Sequence, residues 1–548
     1  MNSSPRSCTP NTQTWSVSAE VVKSKPSPLK VFSWVLYDFS NTIYSMNVVT
    51  MYFSLWVTVN LAREDLWVSL GNSVSMFLAA ISLPILGAIS DSVGRRMPFL
   101  LTLTLVSVCG TMMIGVIGYC VHNPYYQILL AVLAFIIANY AYQGGLVFYN
   151  ALLPEVTTPD NIGRISGYGV AMGYLGAIVG LLMVLPFAQG EISFLNLSFR
   201  PLQGQWQSVA YVDYQPQNQK SLWNFLDTKI DKNANYRYQV IAVVPKDSLS
   251  HRVTIFKSTS RDTVITLADR QKRAVMVSWM LPSNATVREI KQFQILRQKS
   301  GWGRVGIFIP TAILFLLFSI PTFLFVKESR RGVSGQIHVD FQKAFRDVVE
   351  SLSNTKKYPG VLRFLIAKFF YEEGIQTAII FMAVYAVKVM GFPNNVLIPF
   401  FIVTTTAAIF GSFFFGFVTD RLGPKHTLLI VIVGWIICLW SLIAANDKLL
   451  FWILGSLIGV FLGSTWTSAR PLLVSLVPEE KLAEFFGLYA LSGKTAAIIG
   501  PWVWGLVVFA LHPYGDQIKY RAAVFALSLM MFIGLVLLFK VPGKRFQK

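Results

Sequence analysis

Twelve stretches of about 20 mainly apolar residues recur along the chain, at roughly 31–59, 67–90, 98–120, 125–150, 163–188, 303–326, 361–388, 396–419, 426–445, 449–471, 484–511 and 521–541. A hydrocarbon layer ~30 Å thick offers peptide groups no partner, so runs of that length have to satisfy their own backbone as helices. The composition agrees, since 54% of the 548 residues are hydrophobic and only 14% are charged. A soluble enzyme is excluded. The expected fold class is an all-α polytopic membrane protein.

The ends of the runs carry as much information as the runs. Gly87-Ala88-Ile89-Ser90-Asp91-Ser92-Val93-Gly94-Arg95-Arg96 closes the second, and Gly416-Phe417-Val418-Thr419-Asp420-Arg421-Leu422-Gly423-Pro424-Lys425 closes the eighth. In each, an aspartate follows a glycine by four positions, a second glycine comes three later, and a basic residue stands at once or one place on. Glycines let backbones approach and bend, the aspartate can cap or pair with a helix end, and the cations stay in the anionic-lipid zone. The same turn six runs apart marks a duplicated architecture, as in many transporters. Gly87, Asp91, Gly94 and Arg95, with Gly416, Asp420, Gly423 and Lys425, are therefore the expected cytoplasmic gate.

These paired turns resemble those after the second and eighth helices of the major facilitator superfamily. Trp34-Val35-Leu36-Tyr37-Asp38-Phe39-Ser40-Asn41, Tyr149-Asn150-Ala151-Leu152-Leu153-Pro154-Glu155 and Glu484-Phe485-Phe486-Gly487-Leu488-Tyr489 further resemble its vacuolar-effluxer (autophagy-related) and bacterial "unknown major facilitator" branch. The resemblance covers both halves of the chain and leaves out an insert between them. It implies two pseudo-symmetric six-helix bundles and alternating access around a midplane site. It also implies that the first, fourth, seventh and tenth helices line the cavity, and, from the vacuolar relatives, amino-acid export.

The formal charge of +20 invites a nucleic-acid reading, but its distribution argues against one. Arg95, Arg96, Arg164, Lys327, Arg330, Arg331, Arg421, Lys425, Lys481, Lys540, Lys544 and Arg545 fall in loops and a tail of one parity, while the opposite short loops are nearly bare. By the positive-inside rule both termini face the cytoplasm, in a plasma (or bacterial inner) membrane or a vacuole-like one. Residues 1–30 lack a signal-peptide core and read as a disordered tail. The four cysteines form no disulfide pattern.

Polar residues inside the runs supply the candidate site. Asp38, Asn41 and Ser45 share one helical face, and a charge there costs ~2.5–3.5 kcal/mol on insertion scales. That face either lines a watery cavity or caps and pairs with a neighbouring helix. Asn139, Gln143 and Asn150 form a stripe that lines a path or binds adjacent helices. Glu372 and Glu373 repeat the Tyr37-Asp38 position in the second half, and Lys368 stands one turn before Glu372, so the two can pair. Ser464, Thr467 and Arg470 step by three, and Lys494 reads as a counter-ion, an anion site or a snorkelling side chain. The glycines from Gly163 to Gly180 are sufficiently explained by close helix packing. Gly493-Lys494-Thr495 lacks the first glycine of a phosphate loop, and the Gly167–Gly173 run misses dinucleotide spacing by one residue.

Residues 190–302 change character, with period-two alternation at Tyr236–Val244, Arg252–Phe256 and Ala274–Trp279. They read as an extracytoplasmic β-rich insert, large enough for a small sandwich, whose partner stays open. Phe341, Phe345, Val348 and Leu352 predict an amphipathic helix in the linker 328–360. The remaining divisions are 31–189 for helices one to five, 303–327 for helix six, 361–541 for the second bundle and 542–548 for a cytoplasmic tail.

No catalytic constellation, metal set or cofactor motif is present, so no enzyme activity and no cofactor are expected. The expected function is secondary transport of a small-molecule substrate, with a proton as coupling ion and membrane lipid as the other partner; nucleic acid is not a partner, and the chain is expected to be a monomer. The binding and coupling set is Asp38, Asn41, Asn139, Gln143, Glu372, Glu373, Thr467, Arg470 and Lys494. A zwitterion would place its amine on Asp38 or Glu372 and its carboxylate on Arg470 or Lys494. The rivals are a drug or metabolite antiporter and a non-transporting receptor acting through the insert.

Overall fold

The computed structural model describes residues 26–57, 65–121, 123–189, 304–328, 360–392 and 394–543, nine strands between 192 and 300, and a few isolated positions. The long helices are α1 (Pro28–Tyr44), α2 (Asp65–Val93), α3 (Met97–Cys120), α4 (Pro124–Ala151), α5 (Ile162–Gln189), α6 (Phe308–Phe325), α7 (Val361–Lys388), α8 (Asn394–Leu422), α9 (Pro424–Ala444), α10 (Lys448–Leu476), α11 (Leu482–Ala510) and α12 (Gly515–Phe539). Their starts are set by local chemistry. Ser27 caps α1 ahead of Pro28, Asn123 caps α4 ahead of Pro124, and the Asp447 carboxylate accepts from Leu450 N–H at 2.9 Å. Gly94 and Gly423, the second glycines of the repeated turns, sit at φ 69° and 86°, where a side chain would be strained.

Among the described residues ten helices are long and apolar enough to cross a membrane, and α1 and α7 are not among them. α1 is too short, and α7 carries too many charges. α1 has 17 residues before it passes into π-helical Ser45–Tyr52 and carries the buried Asp38; α7 carries the buried Lys368, Glu372 and Glu373. The outer faces are apolar and open, as at Phe509, 81% exposed, and Phe410, 69% exposed, which suits lipid contact and not water.

The packing repeats itself six helices later. The pairs α1–α5, α1–α6, α2–α4, α3–α4 and α3–α6 of one half return as α7–α11, α7–α12, α8–α10, α9–α10 and α9–α12 of the other. The halves meet through α2–α11 and α5–α8, and through α4–α11 and α5–α10, which exchange under the same shift. One buried apolar cluster joins Tyr37 and Phe148 to Phe485, Trp435 and Met531, continuous across both halves. A second, around Phe53, Trp56, Phe135 and Phe308, belongs to the first half alone and lies away from the repeated turns. The bundles thus share a core toward the end that bears those turns.

Between α5 and α6 run β1 (Ile192–Phe194), β2 (Leu197–Phe199), β3 (Gln207–Asp213), β4 (Trp223–Asp227), β5 (Asn235–Val243), β6 (Val253–Thr259), β7 (Val264–Thr266), β8 (Arg273–Trp279) and β9 (Gln292–Ser300). They pair as a hairpin β1-β2, a four-stranded sheet β3-β9-β5-β6 and a three-stranded sheet β4-β8-β7. The three alternating runs of the sequence correspond to β5, β6 and β8. Asp227 of the small sheet accepts from Tyr238 Oη and Arg297 Nη1 of the large one, each at 2.9 Å, beside buried Val240, Phe293 and Ile295. The amphipathic linker helix and the first 25 residues lie outside the described residues.

Residues 190–302 expressed alone are expected to be soluble, with strand-type circular dichroism and one cooperative melt. Asp227→Ala should lower that melt by several degrees, because it removes the acceptor that ties the two sheets together through Tyr238 and Arg297. A helical or unfolded spectrum of the isolated insert would contradict the expectation.

Candidate functional site: cross-bundle latches and an intramembrane charge cluster

The aspartates of the two repeated turns each reach into the opposite half. At the end of α2, Asp91 pairs with Arg96 at 2.8 Å and accepts from the Glu484 backbone N–H of α11 at 2.9 Å. At the end of α8, Asp420 accepts from the N–H groups of Gly163 and Arg164 at the start of α5, at 2.7 and 3.2 Å, and pairs with Arg164 Nε at 2.6 Å. A helix start presents unpaired N–H groups and the positive end of its dipole, so each carboxylate supplies a cap to a helix it is not part of. The first glycines permit the approach: a Cβ on Gly87 would strike the Ala483 carbonyl, and Gly416 lies against the Gly163 backbone.

Both repeated aspartates make these contacts, while the two cations that follow the second glycines, Arg95 and Lys425, do not touch them. Arg95 is exposed, and Arg96 makes the contact with Asp91, donating also to the Ala151 and Glu479 carbonyls. Lys425 donates to the Phe539 carbonyl at 3.1 Å, and Arg164 serves Asp420 instead. The backbone sets this: the residue directly after Gly94 points outward, and Arg96, next along, turns inward.

Higher in the bundles, charged side chains from distant segments converge. Asp38 of α1 pairs with Arg470 of α10 at 2.9 Å, joining the two halves. Arg470 also lies 5.8 Å from the Tyr149 ring centroid, and Tyr149 is stacked on Trp34 and Tyr37. Two of the strings singled out in the sequence therefore form one aromatic wall under the ion pair. Lys494 of α11 donates to Gln143 Oε1 of α4 at 2.7 Å, a second bridge between halves. Lys368 and Glu372 pair within α7, and Lys368 lies 4.0 Å from the Tyr489 ring centroid.

The other candidates sit elsewhere. Asn139 donates to Ser75 at 2.7 Å and to Asn72 at 3.3 Å, binding α4 to α2 inside the first half. Thr467 spends its hydroxyl on the Gly463 carbonyl of its own helix. Asn41 is buried, and its Oδ1 has no partner among the described residues. Glu373 faces the α7–α11 contact, away from the central pairs. The α5 glycines pack as expected: Gly167 faces the Ser412 carbonyl of α8, and Gly176 the Phe39 backbone of α1.

This geometry agrees with what the chain is similar to. The family description "Vacuole effluxer Atg22 like" matches residues 66–163 and 285–548. A Bacillus subtilis protein described as an uncharacterized MFS-type transporter, YxiO, is 24% identical over 518 residues, 93% of this chain and 94% of that one. Autophagy-related protein 22 of Kluyveromyces lactis is 27% identical over 249 residues, 41% of this chain and 49% of that protein. Among solved structures, the E. coli fucose:proton symporter FucP matches with a TM-score of 0.59 at 12% identity, over 94% of this chain and 98% of that one. A bacterial homologue of the iron transporter ferroportin, in an outward-facing state, matches at 0.57 and 10%, over 93% and 98%. At such identities the structures establish a shared fold.

Because each latch is a helix cap worth ~1 kcal/mol, removing both charges should unlock the shared end without unfolding the bundles. Spin labels at exposed Arg95 and Arg421 are expected to give one short distance in the parent. They should give a longer, broader distribution in the Asp91→Asn, Asp420→Asn double variant. Asp91→Asn alone should slow transport while leaving equilibrium ligand affinity within about threefold, under ~1 kcal/mol. A collapse of affinity in a folded variant would move Asp91 from the gate to the binding site.

Proposed function

The chain belongs to the Atg22-like vacuole effluxer family of the major facilitator superfamily and is a multi-pass membrane transporter, and from the charges in its bundles we propose that it moves small zwitterions, amino acids first among them, with proton coupling. All twelve long helices span the bilayer in this reading, with both termini cytoplasmic and the β-rich insert outside. The latched end is then the cytoplasmic one.

The observation that carries the reading is the Asp38–Arg470 pair, which joins the halves through one acid and one fork-shaped cation, with Lys494 bridging them separately. A zwitterion offers both charges, so it can replace each partner as the bundles separate. Its carboxylate suits Arg470, whose planar guanidinium takes carboxylates bidentately, or Lys494, which is held by a neutral amide; its amine suits Asp38 or Glu372. Alternating access follows when the halves rock about this site. The proton reading rests on acids held away from water in helices that carry them nowhere else.

Purified protein in proteoliposomes is expected to accumulate neutral amino acids under an imposed pH gradient and to be stabilised by them in thermal-shift assays. Arg470→Lys should weaken that stabilisation at least tenfold in apparent affinity, ~1.4 kcal/mol, since an ammonium cannot reproduce the fork. Asp38→Asn and Glu372→Gln should impair proton-driven accumulation more than exchange of solute down its own gradient. Stabilisation by apolar drugs but not by amino acids would replace this reading with an efflux antiporter. Loss of all ligand binding on deletion of 190–302 would replace it with a receptor.

A further inference from the structure

Glu373 is the one acid of this region left out of the central pairs. Its side chain is fully buried, and neither carboxylate oxygen has a hydrogen-bond partner among the described residues. Four residues on, the hydroxyl of buried Thr377 is equally unpartnered. Both point to the same spot on α11: a Cβ on Gly500 would collide with Thr377 Oγ1 and lie 2.7 Å from Glu373 Oε2. The side chains of Glu373 and Thr377 thus meet in a space kept open by glycine, beside Pro501, which interrupts the hydrogen bonding of α11.

An ionised carboxylate stranded in such a place would cost several kcal/mol, and buried groups of this kind neutralise instead. The neighbouring charges do not neutralise it. Lys368 is engaged by Glu372, and Lys494 by Gln143. α12 faces this stretch of α7 with Leu527, Met531 and Gly534; its Lys519 pairs with Asp516, and its Arg521 bonds to Ala445 and Asn446. Hard metal cations gather about six oxygens or more, beyond what one carboxylate and one hydroxyl supply. A proton needs one acceptor.

We propose that Glu373, with Thr377, is a dedicated proton-binding site between α7 and α11, apart from the ion-paired acids that meet the solute. The carboxylic acid O–H donates to the Thr377 hydroxyl, and the proton is surrendered when α7 and α11 shift and admit water. The proposal rests on the proton-coupled reading above for its role in transport, but the site is testable without transport.

The test is infrared spectroscopy of the full-length protein in nanodiscs at neutral pH. A carboxylic acid C=O band, shifted in heavy water, is expected in the parent and should be absent from Glu373→Gln. Should that variant fail to fold, Gly500→Ala places a methyl in the site, and the same band should shift or vanish. An identical band in parent and variant overturns the site. So does a sodium-specific thermal stabilisation, over choline, that Glu373→Gln abolishes, because a metal cation then holds the carboxylate. Proton release on adding amino acid in weak buffer reports the coupling separately. A confirmed band with no such release would leave the site standing and sink proton coupling.

Discussion

The carboxylate that caps a helix of the opposite half is the contact on which this arrangement turns. Asp91 holds the start of α11 and Asp420 the start of α5, and the α2–α11 and α5–α8 contacts that join the bundles are anchored there. Each bond replaces water at N–H groups that have no partner in their own helix, so its net worth is ~1 kcal/mol, not the tens that a buried charge would seem to demand. In the proposed alternating-access cycle, two such latches hold one state without making it permanent. Glycines make them possible, since any side chain at Gly87 would push α2 off the start of α11.

Much of this was legible in the sequence because it is written in local spacing. The glycine–aspartate turns, the period-two runs of the insert and the Lys368–Glu372 pair, four residues apart, all follow from repeats that a helix or strand imposes. Spacing fails where the partner comes from far along the chain. Asp38 and Arg470 are 432 positions apart, and nothing in the neighbourhood of either names the other. Arg96 displaced Arg95, and Arg164 displaced Lys425, because a turn's geometry, not the order of its cations, decides which side chain points inward. A threonine in a helix can return its hydroxyl to the preceding turn, as Thr467 does to Gly463, and its spacing along the stripe does not announce that bond.

Helices that carry charges lose the hydropathy by which a membrane span is recognised. α1 and α7 fall outside the ten apolar spans, and they are also the helices that carry Asp38, Glu372 and Glu373. The equivalence of α1 and α7 under the six-helix shift explains why both carry buried acids: each occupies the inner position of its half, where neighbours, not lipid, face its polar residues. Buried acids at equivalent places in two repeats are therefore informative, where a single occurrence would be noise.

The scaffold is symmetric, and the chemistry is not. α1 contributes one acid, while α7, α10 and α11 contribute Lys368, Glu372, Glu373, Arg470 and Lys494. In the proposed cycle, separating the halves takes Asp38 from Arg470 and Gln143 from Lys494, leaving two cations of the second half without partners in a region of low dielectric. Removing one member of a buried pair costs ~3–5 kcal/mol. An empty protein would therefore resist the passage between states, while a solute that carries a carboxylate offers the missing partner and travels with the half that holds the cations. In this proposed cycle symmetry lets the bundles rock, and the uneven division of charge ties that rocking to an occupied site.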